Sequence, residues 1–424
     1  MIPADLIVRN VGLLATLAGP APRLGPALSD IGLVEKAAVA AAAGRIVFAG
    51  AEGGLAAAVV AAPGAVVLDA QGGAVVPGFV DAHTHIAFAG NRDDEIRLRL
   101  AGASYREIAA AGGGIVRTVQ ATRAASREEL VGGLHGRLDE MLLQGTTTAE
   151  VKSGYGLETA AELRCLEAIQ EAGTSHPVSV VPTFLGAHDV PFEHRGDRRR
   201  YLDLLVREMI PEVARRRLAA FCDVFCEEGV FTVAESREVL EAARAHGLGL
   251  RIHADELTWT GGAELAAELR ARSADHLLFG SEAGIAALAE ARCVATLLPA
   301  AAFYLRLGRY APARAMITAG VPVALATDAN PGGGLSPSMP FAMAVACFAQ
   351  GLSLEEALAA ATVNAAYSLG VDGVAGSLEV GKRADLVVLR SARLLDLVRV
   401  GVPAIRTVVK DGRIVVDDAR RIPA

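Results

Sequence analysis

The sequence predicts an α/β protein, a (β/α)8 TIM-like barrel with a small β-sandwich domain formed by the N- and C-terminal segments. Three observations lead to it. Between residues 76 and 374, apolar β-like runs alternate with helical stretches in eight units, which favours a closed barrel over an open doubly wound sheet. Residues 1–75 read as short strands and turns. Residues 375–424 read the same way, and two β-rich ends that each lack a core combine into one sheet domain.

In chain order, Leu6-Ile7-Val8 and Leu13-Leu14 are strand-like. Gly44-Arg45 turns the chain into Ile46-Val47-Phe48, and Val66-Val67-Leu68 runs into the Gly72-Gly73 turn. The eight barrel strands fall at Phe79 to His85, Thr146 to Lys152, Val178 to Phe184, Phe221 to Phe225, Leu248 to Ala254, Ala274 to Phe279, Val294 to Leu298 and Val321 to Thr327. Stretches between them, such as Ser126 to Leu143 and Ala234 to Ala245, carry helical apolar spacing with Glu/Arg-rich outer faces. Near the end, Ala384 to Leu389 is a strand, and Asp411-Gly412 joins Arg406 to Lys410 with Arg413 to Val416 as a hairpin.

Composition narrows the function classes. Lys plus Arg is 41 against 48 for Asp plus Glu, a formal charge of -7, which argues against a nucleic-acid binder. The arginines from Arg195 to Arg200 and Arg215 to Arg217 are interspersed with Asp197, Asp203, Glu208 and Glu212 and read as a solvated helix face. Gly53 to Leu68 is too short for a membrane span, and Ala329 to Leu354 is broken by Pro331, Pro337 and Pro340. The start, Met1-Ile2-Pro3-Ala4-Asp5, lacks a signal peptide's basic and apolar regions, so a cytoplasmic location is expected. Cys165, Cys222, Cys226, Cys293 and Cys347 are too scattered for a disulfide framework. At 52% hydrophobic residues, a homodimer is the expected assembly.

Barrel chemistry sits at the carboxyl ends of the strands. His83 and His85, two apart at the end of the first strand, point to one face. His253 ends the fifth strand and Asp328 the eighth. Three imidazoles and a carboxylate around one mouth suit a single zinc or iron ion with room for water. Glu256, on the loop after His253, is placed to take a proton from the attacking water; the lesser alternative is a carboxylate favoured by a helix N-terminus. His276 lies at the start of the sixth strand and His188 at the end of the third, and each is catalytic or merely structural. Arg92 and Tyr155 sit on strand-end loops, where an arginine suits a substrate carboxylate or pairs with Asp93, Asp94 or Glu95 on the rim.

Longer motifs carry a resemblance. Val76-Pro77-Gly78-Phe79-Val80-Asp81-Ala82-His83-Thr84-His85 and Gly376-Ser377-Leu378-Glu379-Val380-Gly381-Lys382-Arg383-Ala384-Asp385-Leu386 resemble the opening and closing segments of the metal-dependent amidohydrolase superfamily. Phe88-Ala89-Gly90-Asn91-Arg92, Ala111-Gly112-Gly113-Gly114-Ile115, Glu150 to Leu157, Thr183 to His188, His253-Ala254-Asp255-Glu256 and Thr327 to Gly332 are most similar to its imidazolonepropionase family.

The resemblance implies hydrolysis of a small-molecule substrate, 4-imidazolone-5-propanoate, to N-formimidoyl-L-glutamate in histidine degradation. It implies that His83, His85, His253 and Asp328 hold one Zn(2+) or Fe(3+) ion per subunit, that Glu256 shuttles the proton and that His276 or the metal steadies the oxyanion. Arg92, Tyr155, His188, Glu256, Asn330 and Gly332 are implied to contact substrate or product. Gly333-Gly334 stands where a hydroxyl-bearing residue is expected, so any contact at Gly333 comes from backbone. Ala329 is smaller than expected. Lys152 lies in a segment that matches mononuclear relatives, which argues against a carboxylated lysine bridging two metals. The neighbouring alternative is another amidohydrolase, such as a purine or pyrimidine aminohydrolase, for which Arg92 with Tyr155 has no evident use. A non-catalytic scaffold would be expected to have lost a ligand or the base.

Overall fold

A computed structural model describes residues 1–102 and 113–422. The two ends of the chain pair in one mixed sheet. Strands β1 (Ile2–Ala15), β2 (Leu33–Ala42), β3 (Arg45–Ala51), β4 (Val59–Asp69) and β5 (Ala74–Pro77) come first. The last four strands join them: β14 (Leu386–Leu389), β15 (Ile405–Lys410), β16 (Arg413–Asp417) and β17 (Arg420–Arg421). The seam is the antiparallel β5–β14 pair, Val76 opposite Val387. Leu6, Val8, Val39, Ile46, Val75, Leu386, Val388 and Val409 form its core. Asp411 and Gly412 both take positive φ, +47° and +75°, the conformation that closes a two-residue hairpin with the right-handed strand twist.

The eight barrel strands are β6 (Phe79–Asp81), β7 (Thr146–Lys152), β8 (Ser179–Ala187), β9 (Phe221–Cys226), β10 (Gly249–Ala254), β11 (Ser273–His276), β12 (Val294–Leu297) and β13 (Val323–Leu325). They pair in chain order, every pair parallel. Closure comes at the mouth. Thr84 bridges Ala329, the His85 N–H reaches Ala329 O at 2.9 Å, and the Asp328 N–H reaches His83 O at 3.0 Å. The segments carrying His83, His85 and Asp328 thus supply the backbone that joins the first and eighth strands.

The first, sixth and eighth strands are shorter than the sequence predicts. Beyond Asp81 the regular ladder gives way to an isolated bridge at Thr84 and single backbone hydrogen bonds, such as Lys152 N–H to Thr84 O. Beyond Leu325, Thr327 gives its N–H to Asp81 at 3.1 Å and Asp328 turns to φ +53°. After Ala274, His276 and Leu277 also take positive φ. These turns end the ladders and swing the side chains inward.

Helices cover the outside. Arg127–Leu143 is capped by Ser126 with Glu129 in a capping box, and Val233–Ala245 by Thr232 with Glu235. Leu130, Leu134, Leu138, Met141 and Leu142 of the first helix recur at helical spacing and are buried against the barrel. Among the described residues, no helix is long and apolar enough to cross a membrane.

Candidate active site

Four side-chain donors converge at the barrel mouth. His85 Nε2 lies 3.1 Å from His83 Nε2 and 3.2 Å from His253 Nε2. Asp328 Oδ1 is 3.5 Å from His85 Nε2 and 3.7 Å from His83 Nε2. All four residues are buried. His83 Nδ1 donates to Asp275 Oδ2 at 2.7 Å and His253 Nδ1 to Asp223 Oδ1 at 3.1 Å. With the ring protons on Nδ1, both Nε2 atoms turn unprotonated lone pairs toward one point, an arrangement that repels itself without a cation. Ligands about 2.0–2.1 Å from a four-coordinate ion lie about 3.3 Å apart, so the spacing fits a divalent metal. Burial foremost, then the Lys152 charge, holds the His83 imidazole well below its usual pKa, and burial with His188 does the same for His85. Both are therefore neutral and able to ligate. Burial pushes the Asp328 carboxyl up to about 7. His276 is a fifth neighbour, its ring edge-on to His83 with centroids 5.4 Å apart.

Below these donors lies a layer of buried charge. Lys152 Nζ is 2.7 Å from both Glu150 Oε1 and Asp223 Oδ2. Arg251 reaches Asp275 Oδ2 at 3.3 Å and donates to Ala82 O at 2.9 Å. Burial opposes the Lys152 charge, but Asp223 and Glu150 outweigh it and raise its pKa. A carboxylated Lys152 would instead set a negative group against Glu150 and Asp223.

A cavity of about 900 Å³ opens above the donors. Its lining includes His85, His253, Asp328, Glu256, His276, Arg92, Tyr155, His188, Asn330, Gly332 and Gly333, so of the predicted metal, catalytic and substrate residues all but His83 face it. Glu256 is held on both sides. Asp255 accepts the N–H groups of Thr260, Gly261, Gly262 and Ala263, while Glu227 accepts that of Leu257 at 2.9 Å. Burial, with the charges of Asp328 and Glu227 adding to it, raises the Glu256 carboxyl well above the usual carboxylate range. His276 Nδ1 is 3.6 Å from Glu256 Oε1, too far for a hydrogen bond. Burial holds His276 well below its usual pKa and His188 down at about 3. His188 stacks on His85 with ring centroids 4.9 Å apart and gives Nδ1–H to Gly154 O at 2.9 Å.

Arg92 pairs with one of its acidic neighbours and also faces the cavity. Its guanidinium pairs with Glu95 Oε2 through Nε at 2.8 Å and a terminal nitrogen at 2.7 Å, and it also lines the cavity. The pair is buried rather than on the rim, and Glu95 Oε1 accepts the Gly114 N–H at 2.8 Å. Ala111 and Gly112 of that glycine-rich motif lie outside the described residues. Tyr155 stands with its ring 5.2 Å from His188 and 6.2 Å from His85. Its loop hangs on Glu162, whose carboxylate accepts the N–H groups of Gly154, Gly156 and Leu157. Asn330 braces the loop after Asp328: Nδ2 donates to Asp328 O, and Oδ1 accepts from Gly332 and Gly333. The Gly333 N–H is thus engaged within the loop.

Sequence reasoning missed Asp223, Asp275, Arg251, Glu162 and Glu227, and named Glu95 only as one of three possible partners of Arg92. One signal was available. Asp223 and Arg251 interrupt strands otherwise buried in apolar company, and Arg251 shares a strand face with His253.

Residues 99–416 match the amidohydrolase family. An imidazolonepropionase of Symbiobacterium thermophilum is 52% identical over 422 residues, 99% of each chain. One from Myxococcus xanthus is 50% identical over 414 residues, 97% of each. Among solved structures, a zinc-bound adenosine deaminase of Xanthomonas campestris superposes with a TM-score of 0.74 at 19% identity, covering 100% of this chain and 95% of its own. That likeness is one of fold.

Proposed function

The chain belongs to the imidazolonepropionase family of the amidohydrolases, and from this we propose that it hydrolyses 4-imidazolone-5-propanoate to N-formimidoyl-L-glutamate, a ring opening in histidine degradation. One observation carries the reading at the level of the site. A single cavity has the histidine–aspartate donors with Glu256 on one wall and a buried arginine, Arg92, with Tyr155 on another.

His83, His85, His253 and Asp328 would hold the metal, and three imidazoles with one carboxylate take zinc or iron. Such an ion, when bound, makes water nucleophilic near neutral pH and polarises a carbonyl. Glu256 takes the proton of the attacking water and delivers it to the ring nitrogen as the C–N bond breaks, and its raised pKa suits a group that must hold that proton in between. His276, neutral at working pH, offers an N–H to the oxygen on which charge develops. Arg92 and Tyr155 bind the propionate. Glu95 fixes the guanidinium from the side away from the substrate, and the loop braced by Asn330 brings Gly332 against it.

Kinetics on Arg92→Met test the clamp. A charge-assisted pair is worth about 1.5–3 kcal/mol, so KM for the imidazolone rises by about 10- to 150-fold with metal content unchanged. A KM within twofold of wild type would remove Arg92 from substrate recognition. Gly332→Ala acts on the same group from behind. An added Cβ would lie 2.2 Å from an Arg92 guanidinium nitrogen, so the guanidinium shifts and KM rises with full metal retained; an unchanged KM would show that the loop absorbs the methyl group elsewhere.

A further inference from the structure

We propose that Lys152 is a positioning residue for the metal site: its ammonium fixes Asp223 as the acceptor for His253 Nδ1, and through that bond aims His253 Nε2 at the metal. This rests on the reading of His83, His85, His253 and Asp328 as ligands.

The geometry is a relay of three groups from three strands. Lys152 ends β7, Asp223 lies within β9 and His253 near the end of β10. Lys152 Nζ meets Asp223 Oδ2 at 2.7 Å, and the other oxygen of that carboxylate faces His253 Nδ1 at 3.1 Å. Oδ1 also accepts the Val224 N–H at 2.7 Å. The backbone and the imidazole therefore share Oδ1, while Lys152 is the hydrogen-bond donor to Oδ2. Lys152 is fully buried, as are Asp223, Glu150 and Asp275. A buried carboxylate oxygen stripped of its donor turns toward another partner. Rotation of Asp223 about its Cβ–Cγ bond would carry Oδ1 away from His253. A metal-ligating histidine whose Nδ1 acceptor is lost loses both tautomer and ring orientation.

A purely structural role is separable from this one. The layer holds three carboxylates, Glu150, Asp223 and Asp275, and two cations, Lys152 and Arg251. If Lys152 served only to balance charge, removing it together with one carboxylate that touches no ligand would restore the site. Glu150 is that carboxylate: Oε1 faces Lys152 at 2.7 Å, and Oε2 accepts the Thr84 N–H, a bond that glutamine can keep.

The experiment is competition for zinc between metal-free protein and a chelator, with thermal melting recorded on the same samples. Lys152→Met raises the zinc dissociation constant about 10- to 100-fold, the range for loss of a group that orients a ligand. Should Lys152→Met fail to fold, the Glu150→Gln/Lys152→Met double variant, whose layer keeps its formal charge, folds and shows the same weakening. Zinc affinity within twofold of wild type in folded Lys152→Met, or its recovery in the double variant, would overturn the proposal. Wild-type protein that takes up no zinc or other divalent ion would instead overturn the metal reading and this one with it, a result visible before any variant is compared.

Discussion

Glu256→Gln lowers kcat by ~10² to 10⁴ while metal content and KM stay near wild type. The magnitude is that of a lost general base. The selectivity follows from the surroundings. Glutamine has nearly the shape of glutamate, and the loop is held by Asp255 on one side and Glu227 on the other, so the substitution removes proton affinity without moving the backbone. A base whose pKa is raised also gives a sign for pH. Activity falls as acid protonates Glu256, and because burial and the Asp328 and Glu227 charges raise its pKa, the acid limb of kcat/KM lies above the ordinary carboxylate range. In Glu256→Gln that limb disappears from whatever rate remains. Steady-state rates across pH on both proteins check this; near-normal turnover in the variant would pass the proton to His276.

Substituting any of His83, His85, His253 or Asp328 by alanine abolishes tight metal binding and, with it, turnover. Three donors do not replace four in a site whose atoms are spaced 3.1 to 3.7 Å apart. The losses are not equal in their side effects. His83→Ala and His253→Ala also leave Asp275 and Asp223 without their imidazole donors inside a buried charge layer, which costs stability as well as metal. His85→Ala carries no such burden, since no hydrogen bond to its Nδ1 is found among the described residues. Metal analysis beside thermal melting separates the two, with the larger fall in melting temperature expected for His83→Ala and His253→Ala. A variant that kept a full equivalent of metal and wild-type turnover would remove that residue from the site.

The fold was legible because its signal is repetitive. Eight apolar strands separated by capped amphipathic helices have few solutions, and the parallel order of β6 to β13 follows from the connections between them. The candidate site was legible where chemistry-bearing residues fall at strand ends, as His83, His253 and Asp328 do. Strand lengths were not, because hydrogen bonds across the mouth decide where the ladders stop: Thr327 to Asp81, and His85 to Ala329. Supporting groups were hidden for a related reason. Asp223 serves His253 from 30 residues away and Asp275 serves His83 from 192, separations that no local pattern records, whereas Glu95 stands only three residues from Arg92 and Glu162 eight from Gly154 of the Tyr155 loop. Asn330, implied by its motif to contact substrate or product, lines the cavity and also braces its own loop through the Asp328 carbonyl and two backbone N–H groups. A short polar side chain bonding its own loop leaves the same mark in sequence as one aimed at substrate.

The central claim is tested most directly by offering freshly generated 4-imidazolone-5-propanoate to the purified, metal-loaded protein, following loss of the ring chromophore and identifying the product, with a panel of uncharged purines and pyrimidines in parallel. Turnover of the imidazolone to N-formimidoyl-L-glutamate is expected, dependent on metal and sensitive to Arg92→Met, with none of the neutral bases. Deamination of a neutral base that survives Arg92→Met, with the imidazolone left intact, would contradict it.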